Sequence, residues 1–162
     1  MCALSSDPIL LDNTVLSNFA KVDQSELVMN MWPLCATTQE TWQEYTSGLA
    51  IGKLPRNAWK GLQILELSQS EHEFSRRFST ALGAGERSCI AVAKYRLGLF
   101  VTDDRKARQV ALDLGVQVTG SLGILVLTIE RKMWTLKEAN SILAEMIGNG
   151  YHSPVEDLKE LF

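Results

Sequence analysis

The chain has 162 residues, 46% of them hydrophobic and 22% charged, and a net charge of −3. That balance suits one domain with a full hydrophobic core and excludes a disordered, collagen-like or coiled-coil chain. It also excludes a general attraction to nucleic acid, so any contact with phosphates must come from a local basic patch or from cations held by acids.

No apolar stretch reaches the ~18 residues of a membrane span. Residues 1–6 lack the basic-then-apolar build of a signal peptide. A soluble, cytoplasmic protein with no membrane partner is expected. The three cysteines, Cys2, Cys35 and Cys89, are scattered, which argues against a disulfide framework or a thiolate zinc site. Cys35 and Cys89 sit among apolar residues and read as small core residues. With only His72 and His152, a histidine metal site or a Ser-His-Asp triad has little support. Acid–base or metal chemistry must rest on carboxylates.

Pro8-Ile9-Leu10-Leu11 is a continuous apolar run, which suits a strand buried on both faces of a parallel sheet. Asp12 stands at its end, where ligands bind in open α/β sheets. Asp12 or Thr14 equally suits a cap for the next helix, predicted over 14–22 from Val15, Leu16, Phe19 and Val22. Residues 27–31 form a short helix or loop, and 33–37 a second strand. A helix capped by Thr38 follows, with Thr38, Thr41 and Glu44 or Tyr45 on one face. Gly48 and Gly52 interrupt it, and Lys53-Leu54-Pro55 marks a turn.

Residues 62–67 alternate as a strand, and 70–81 read as a helix with Phe74 and Phe78 one turn apart. Gly83-Ala84-Gly85 reads as a flexible hinge before a helix over 86–95. The buried strand over 97–102 runs into Asp103-Asp104-Arg105, the second place where a strand meets carboxylates. A helix over 105–114 is stopped by Gly115. Residues 116–119 make the last strand, and an apolar helix follows over 122–129. Thr135 and Glu138 have capping-box spacing, with Leu136, Ala139, Leu143 and Met146 along one face as far as Gly148. Ser153-Pro154-Val155-Glu156 is a second capping box and predicts a final short helix. The βα alternation, with strands too far apart for hairpins, implies a three-layer α/β sandwich with a mainly parallel sheet over residues 1–162.

In such a sheet the strand carboxyl ends face one way. Asp12, Glu44, Glu86 and Asp103-Asp104 can therefore converge although they are distant in sequence. Carboxylates sharing a pocket repel unless a cation neutralises them. Hard oxygen donors without His or Cys suit Mg²⁺ or Mn²⁺ and phosphoryl chemistry.

The chain resembles PIN-domain proteins, in particular the subfamily found as VapC-type toxins. The resemblance rests on ordered pieces covering nearly the whole chain: 12–19, 38–45, 83–91, 101–108, 118–123 and 150–154. It implies about five parallel strands in the order 3-2-1-4-5. It places the catalytic acids on Asp12, Glu44, Glu86 and Asp104, with Glu40 a competitor for Glu44. Asp12, Glu86 and Asp104 would hold Mg²⁺ or Mn²⁺, with Thr14, Thr102, Asp103 and Ser121 in support. Thr38 stands where proline is common and Ser121 where threonine is common; neither departure removes a ligand. The implied activity is a metal-dependent ribonuclease, the toxin of a toxin–antitoxin pair, with RNA, an antitoxin protein and a second copy of the chain as partners. The competing readings are a non-cutting PIN-like module that binds nucleic acid or protein, and a metal-dependent phosphatase. Arg105, with Lys106 and Arg108, follows the acidic strand end and suits substrate phosphates or a solvated helix face. Arg76, Arg77 and Arg87 suit a solvated surface better than an RNA grip. The four tryptophans, being scattered, suit packing rather than base stacking.

Overall fold

The structure is a computed structural model that describes residues 7–52, 54–78 and 81–162. Cys2, the expectations for residues 1–6, Lys53 of the predicted turn and residues 79–80 of the predicted helix lie outside them. The strands are β1 (Ile9–Leu11), β2 (Cys35–Thr38), β3 (Gln63–Leu65), β4 (Leu99–Val101) and β5 (Gln117–Thr119). They form one all-parallel sheet in the order β3-β2-β1-β4-β5, with β1 central. The helices are α1 (Asn13–Lys21), α2 (Ser25–Met29), α3 (Gln39–Ala50), α4 (Gln69–Arg77), α5 (Ala84–Tyr95), α6 (Arg105–Asp113), α7 (Ser121–Glu130) and α8 (Leu136–Gly148). Among the described residues no helix is long and apolar enough to cross a membrane.

The apolar strand runs are explained by cover on both faces. Successive strand side chains point to opposite sides. Ile9, Leu11 and Val101 enter one core with Phe19, Ile124 and Leu143, from α1, α7 and α8. Leu10 and Phe100 enter the other with Ile90, Ala107 and Ala111, from α5 and α6. Trp59 is buried in the first core, where its indole N–H donates to the Leu16 carbonyl at 2.9 Å, and Trp32 is buried there too. Cys35 and Cys89 are buried free thiols, the small core residues expected of them.

Capping defines several helix starts. Ser68 with Glu71 and Thr135 with Glu138 close reciprocal capping boxes at α4 and α8. Glu71 is also a buried acid that periodicity did not single out. It pairs with Arg96 at 2.8 Å, and Arg96 donates a further bond to the Glu66 carbonyl. That ion pair ties α4 to the end of α5.

Four local expectations are corrected. Helix α3 runs through Gly48 to Ala50 and ends before Gly52, whose φ of +74° favours glycine. At Gly48 a Cβ would meet Leu54 Cδ1 at 2.8 Å, so that glycine serves a close approach. Helix α4 stops at Arg77 rather than 81. Gly83-Ala84-Gly85 is no hinge: Gly83 is the N-cap of α5, and Ala84 and Gly85 are its first helical residues. Ser153-Pro154 starts no helix. The Ser153 hydroxyl bonds the N–H and carbonyl of Val155, a local turn that competes with helix. The terminal helical turn, Leu158–Leu161, is capped by Asp157 instead.

Candidate functional site

Because all five strands are parallel, their carboxyl ends share one edge. Asp12 follows β1 there, Thr102 to Asp104 follow β4, and Gly120 and Ser121 follow β5. The ladder continues past the strand ends: the Asp12 N–H donates to the Val101 carbonyl, and the Thr102 N–H to the Thr119 carbonyl, each at 2.9 Å. Asp12 is thus fixed by the most central pair in the sheet. It is 2% exposed. Its carboxylate accepts from Thr102 Oγ1 at 2.6 Å, the Asn13 N–H at 2.8 Å and Thr14 Oγ1 at 3.2 Å. Thr102 Oγ1 in turn accepts from the Asp104 N–H at 3.1 Å, so one hydroxyl joins the two acids. Asp104 uses Oδ1 to cap α6 through the Ala107 N–H at 2.8 Å.

Glu44 and Glu86 reach the same edge from α3 and α5. Glu44 Oε1 accepts from the Gly85 N–H at 3.0 Å. A Cβ on Gly85 would fall 2.8 and 2.9 Å from the two Glu44 oxygens and 2.9 Å from Thr41 Oγ1. The glycine leaves room for the Glu44 carboxylate and the Thr41 hydroxyl against the start of α5. Glu86 accepts from the Gly83 N–H at 3.4 Å. Between the two sequence candidates on α3, the structure brings Glu44 to the edge. Glu40 makes no hydrogen bond to any described residue.

The charges register this proximity. Burial lifts Asp12 from 3.8 to about 6, with help from the Glu44 charge and against the hydrogen bonds it accepts. Glu86 rises from 4.5 to about 7, first through burial, then through the charges of Asp12, Asp104 and, less, Glu44. Beneath them, the Cys89 thiol is pushed up to about 12, chiefly by burial and also by Asp12, so it stays a neutral thiol bonded to Thr38 and Thr41.

Asp103 turns the other way. Its carboxylate accepts from Asn18 Nδ2 at 2.8 Å, the Ser121 N–H at 2.8 Å and Ser121 Oγ at 2.5 Å. Its own N–H donates to Thr14 Oγ1 at 3.1 Å. Ser121 is therefore engaged with Asp103 rather than with Asp12 or Glu86. Asn18, which the sequence reading left without a role, lies one helical turn beyond Thr14. That i, i+4 spacing was the signal that could have found it. Arg105 is exposed, whereas Arg108 is half-buried with Nη2 donating to the Thr102 carbonyl at 3.3 Å. The buried Nε of Arg87 has no partner among the described residues.

Four carboxylates thus gather at one sheet edge, and each spends an oxygen on a helix-start N–H. Among the described residues no three His, Cys, Asp or Glu side chains close into a ready metal cage. The donor set fits a hard divalent cation by its chemistry: oxygen donors only, with no basic side chain among the described residues paired to any of the four. Burial first, and neighbouring carboxylates second, lift Asp12 and Glu86, and a bound cation would offset both effects. Asp12, Glu86 and Asp104 could hold such an ion through their remaining lone pairs. Residues 8–162 match a family model described as a PIN domain. No curated protein matches the chain.

Proposed function

We propose that this chain, which belongs to the PIN-domain family, is a Mg²⁺- or Mn²⁺-dependent ribonuclease acting at the notch of Asp12, Glu44, Glu86 and Asp104. The nuclease-type fold supports cleavage of a phosphodiester. The observation that carries the reading is geometric: the Thr102 hydroxyl joins Asp12 to the Asp104 backbone, while Glu44 and Glu86 reach the same edge from α3 and α5 on the Gly85 and Gly83 N–H groups. Acids from four separate elements share one field at the strand ends, and a protein that held no cation there would gain by losing them.

A divalent ion bound to Asp12, Glu86 and Asp104 would supply Lewis acidity toward the phosphate and an acidified water. The chain supplies the rest. Thr102 fixes Asp12 and the start of α6 together, so that two acids cannot drift apart. The Gly85 N–H orients Glu44. Thr14 donates to the same Asp12 oxygen as Thr102 while holding the Asp103 backbone. Preorganised groups of this kind lose little reorganisation energy at the moment of reaction.

The resemblance carries the reading one step further: a toxin that cuts cellular RNA, held in check by an antitoxin and working as a homodimer. That step is tested by the reading frame next to the gene: a short antitoxin-like product that co-purifies with the chain bears it out, and the lack of one overturns it. Cleavage itself is tested on single-stranded RNA with Mn²⁺, with EDTA, and with Asp12→Asn and Asp104→Asn. The expected result is EDTA-sensitive cutting that both variants lose while staying folded by circular dichroism. Variants that cut as well as the parent refute the assignment. RNA binding without cutting favours a non-catalytic module, and turnover of a phosphomonoester alone favours a phosphatase.

A further inference from the structure

Beside the acids, on the same edge, two grooves of about 370 and about 770 Å³ meet along Asp103, Tyr151 and His152. The smaller lies against the start of α1, at Thr14 and Asn18. Thr14 Oγ1 bonds both Asp12 and the Asp103 N–H, so this groove opens one hydrogen bond from the notch. The larger runs on past Arg105, Arg108 and Gly120.

The two arginines are placed for an anion. Among the described residues neither forms an ion pair, although Asp103 and Asp104 are close in sequence. Arg108 is positioned by the Thr102 carbonyl and by Gly120, where a Cβ would fall 2.7 Å from its Nη2. The bare backbone of Gly120 thus makes room for a guanidinium at the strand ends. Arg105 is exposed one helical turn earlier on the same groove wall. Guanidiniums beside a groove suit phosphate oxygens, and the half-buried ring of Tyr151 offers an apolar face of the kind on which bases stack.

We infer that the strand flanking the scissile phosphate runs along this groove as single-stranded nucleic acid. Arg105 and Arg108 meet its phosphates, Tyr151 lies under a base, and His152 stands at the rim. The inference rests on the nuclease reading for its placement beside the notch.

The test is fluorescence anisotropy of a labelled single-stranded RNA on the full chain in EDTA, where no cutting occurs, over a salt series. Arg105→Glu and His152→Glu change exposed residues and leave the core untouched. Arg105→Glu and Arg108→Gln should each weaken binding by about 3–10-fold and lower the salt slope by about 0.7 per lost phosphate contact. Tyr151→Leu should weaken binding by roughly tenfold with the salt slope unchanged, because stacking releases no counterions. His152→Glu should weaken binding as well. Unchanged affinity and slope in both arginine variants overturn the inference. So does displacement of the RNA by polyglutamate at an equal charge concentration, which would assign the groove to an acidic protein segment. The two readings fail separately. If the parent cuts with Mn²⁺ but the groove variants bind and cut like it, the groove falls and the nuclease stands. If the parent never cuts but binding depends on the arginines, the groove stands and the nuclease falls.

Discussion

Replacing Asp12 by Asn should remove a pH-dependent loss of stability from the metal-free protein. Asp12 is 2% exposed, and its pKa rises from 3.8 to about 6, first because burial disfavours the anion. A carboxyl with a folded pKa above its unfolded value holds its proton more tightly when folded. Its stabilising effect is therefore full below about pH 4, fades as pH rises from 3.8 toward 6, and is gone above that window. The shift of about two units corresponds to about 3 kcal/mol at 1.36 kcal/mol per unit. The assay is urea unfolding in EDTA at pH 4 and pH 8 for the parent and Asp12→Asn. Groups that Asp12 does not influence cancel in the comparison. Between those pH values the parent should lose about 3 kcal/mol more than the variant, or roughly 6–12 °C in Tm for a domain of this size. Glu86, which the Asp12 charge also lifts, relaxes in the variant and adds to the difference. At pH 8, Mn²⁺ at a hundredfold excess over its Kd should return about 2.7 kcal/mol to the parent and little to Asp12→Asn. Parallel pH profiles for the two proteins would refute the claim that Asp12 is buried among like charges.

Gly85→Ala puts a methyl group 2.8 and 2.9 Å from the Glu44 oxygens. It should cost about 1–3 kcal/mol by overpacking, measured by urea unfolding, and reduce RNA cleavage by displacing Glu44. Glu71→Ala removes a buried acceptor for Arg96 and the Ser68 N–H and should cost about 1.5–3 kcal/mol at neutral pH without affecting cleavage. Hydrogen bonds from Arg96 and Ser68 outweigh burial and hold Glu71 below 4.5, so its contribution is present above that pH and lost as pH falls through the lowered value. The cost of Glu71→Ala should accordingly shrink in acid. Tyr45 is fully buried, and its hydroxyl finds no partner among the described residues. Tyr45→Phe should therefore stabilise the fold by about 1 kcal/mol, read as a rise in the urea midpoint.

The order of strands and helices was legible along the chain because its signals are local. The apolar run at 8–11, the Thr135–Glu138 capping spacing and the stop at Gly115 each concern residues within a turn or two of one another. Local signals also misled where a tertiary contact or a competing turn decided the outcome. Gly48 read as a break and Gly85 as part of a hinge, because glycine weakens a helix by itself. Both are instead helical positions where another side chain needs the room of a Cβ. Ser153 matched a capping box, but its hydroxyl closed a turn on Val155.

Taken alone, the sequence determined that acids stand at the ends of the first and fourth strands and that any metal chemistry would have to use oxygen donors. Only the tertiary structure decided that Glu44 rather than Glu40 joins them, that Asp103 faces Ser121 instead, and that Arg108 lies against Gly120. The reason is geometric. Spacing along the chain states which side chains share a helix face. Which face turns toward the sheet edge, and which elements meet there, follows from how the two cores pack.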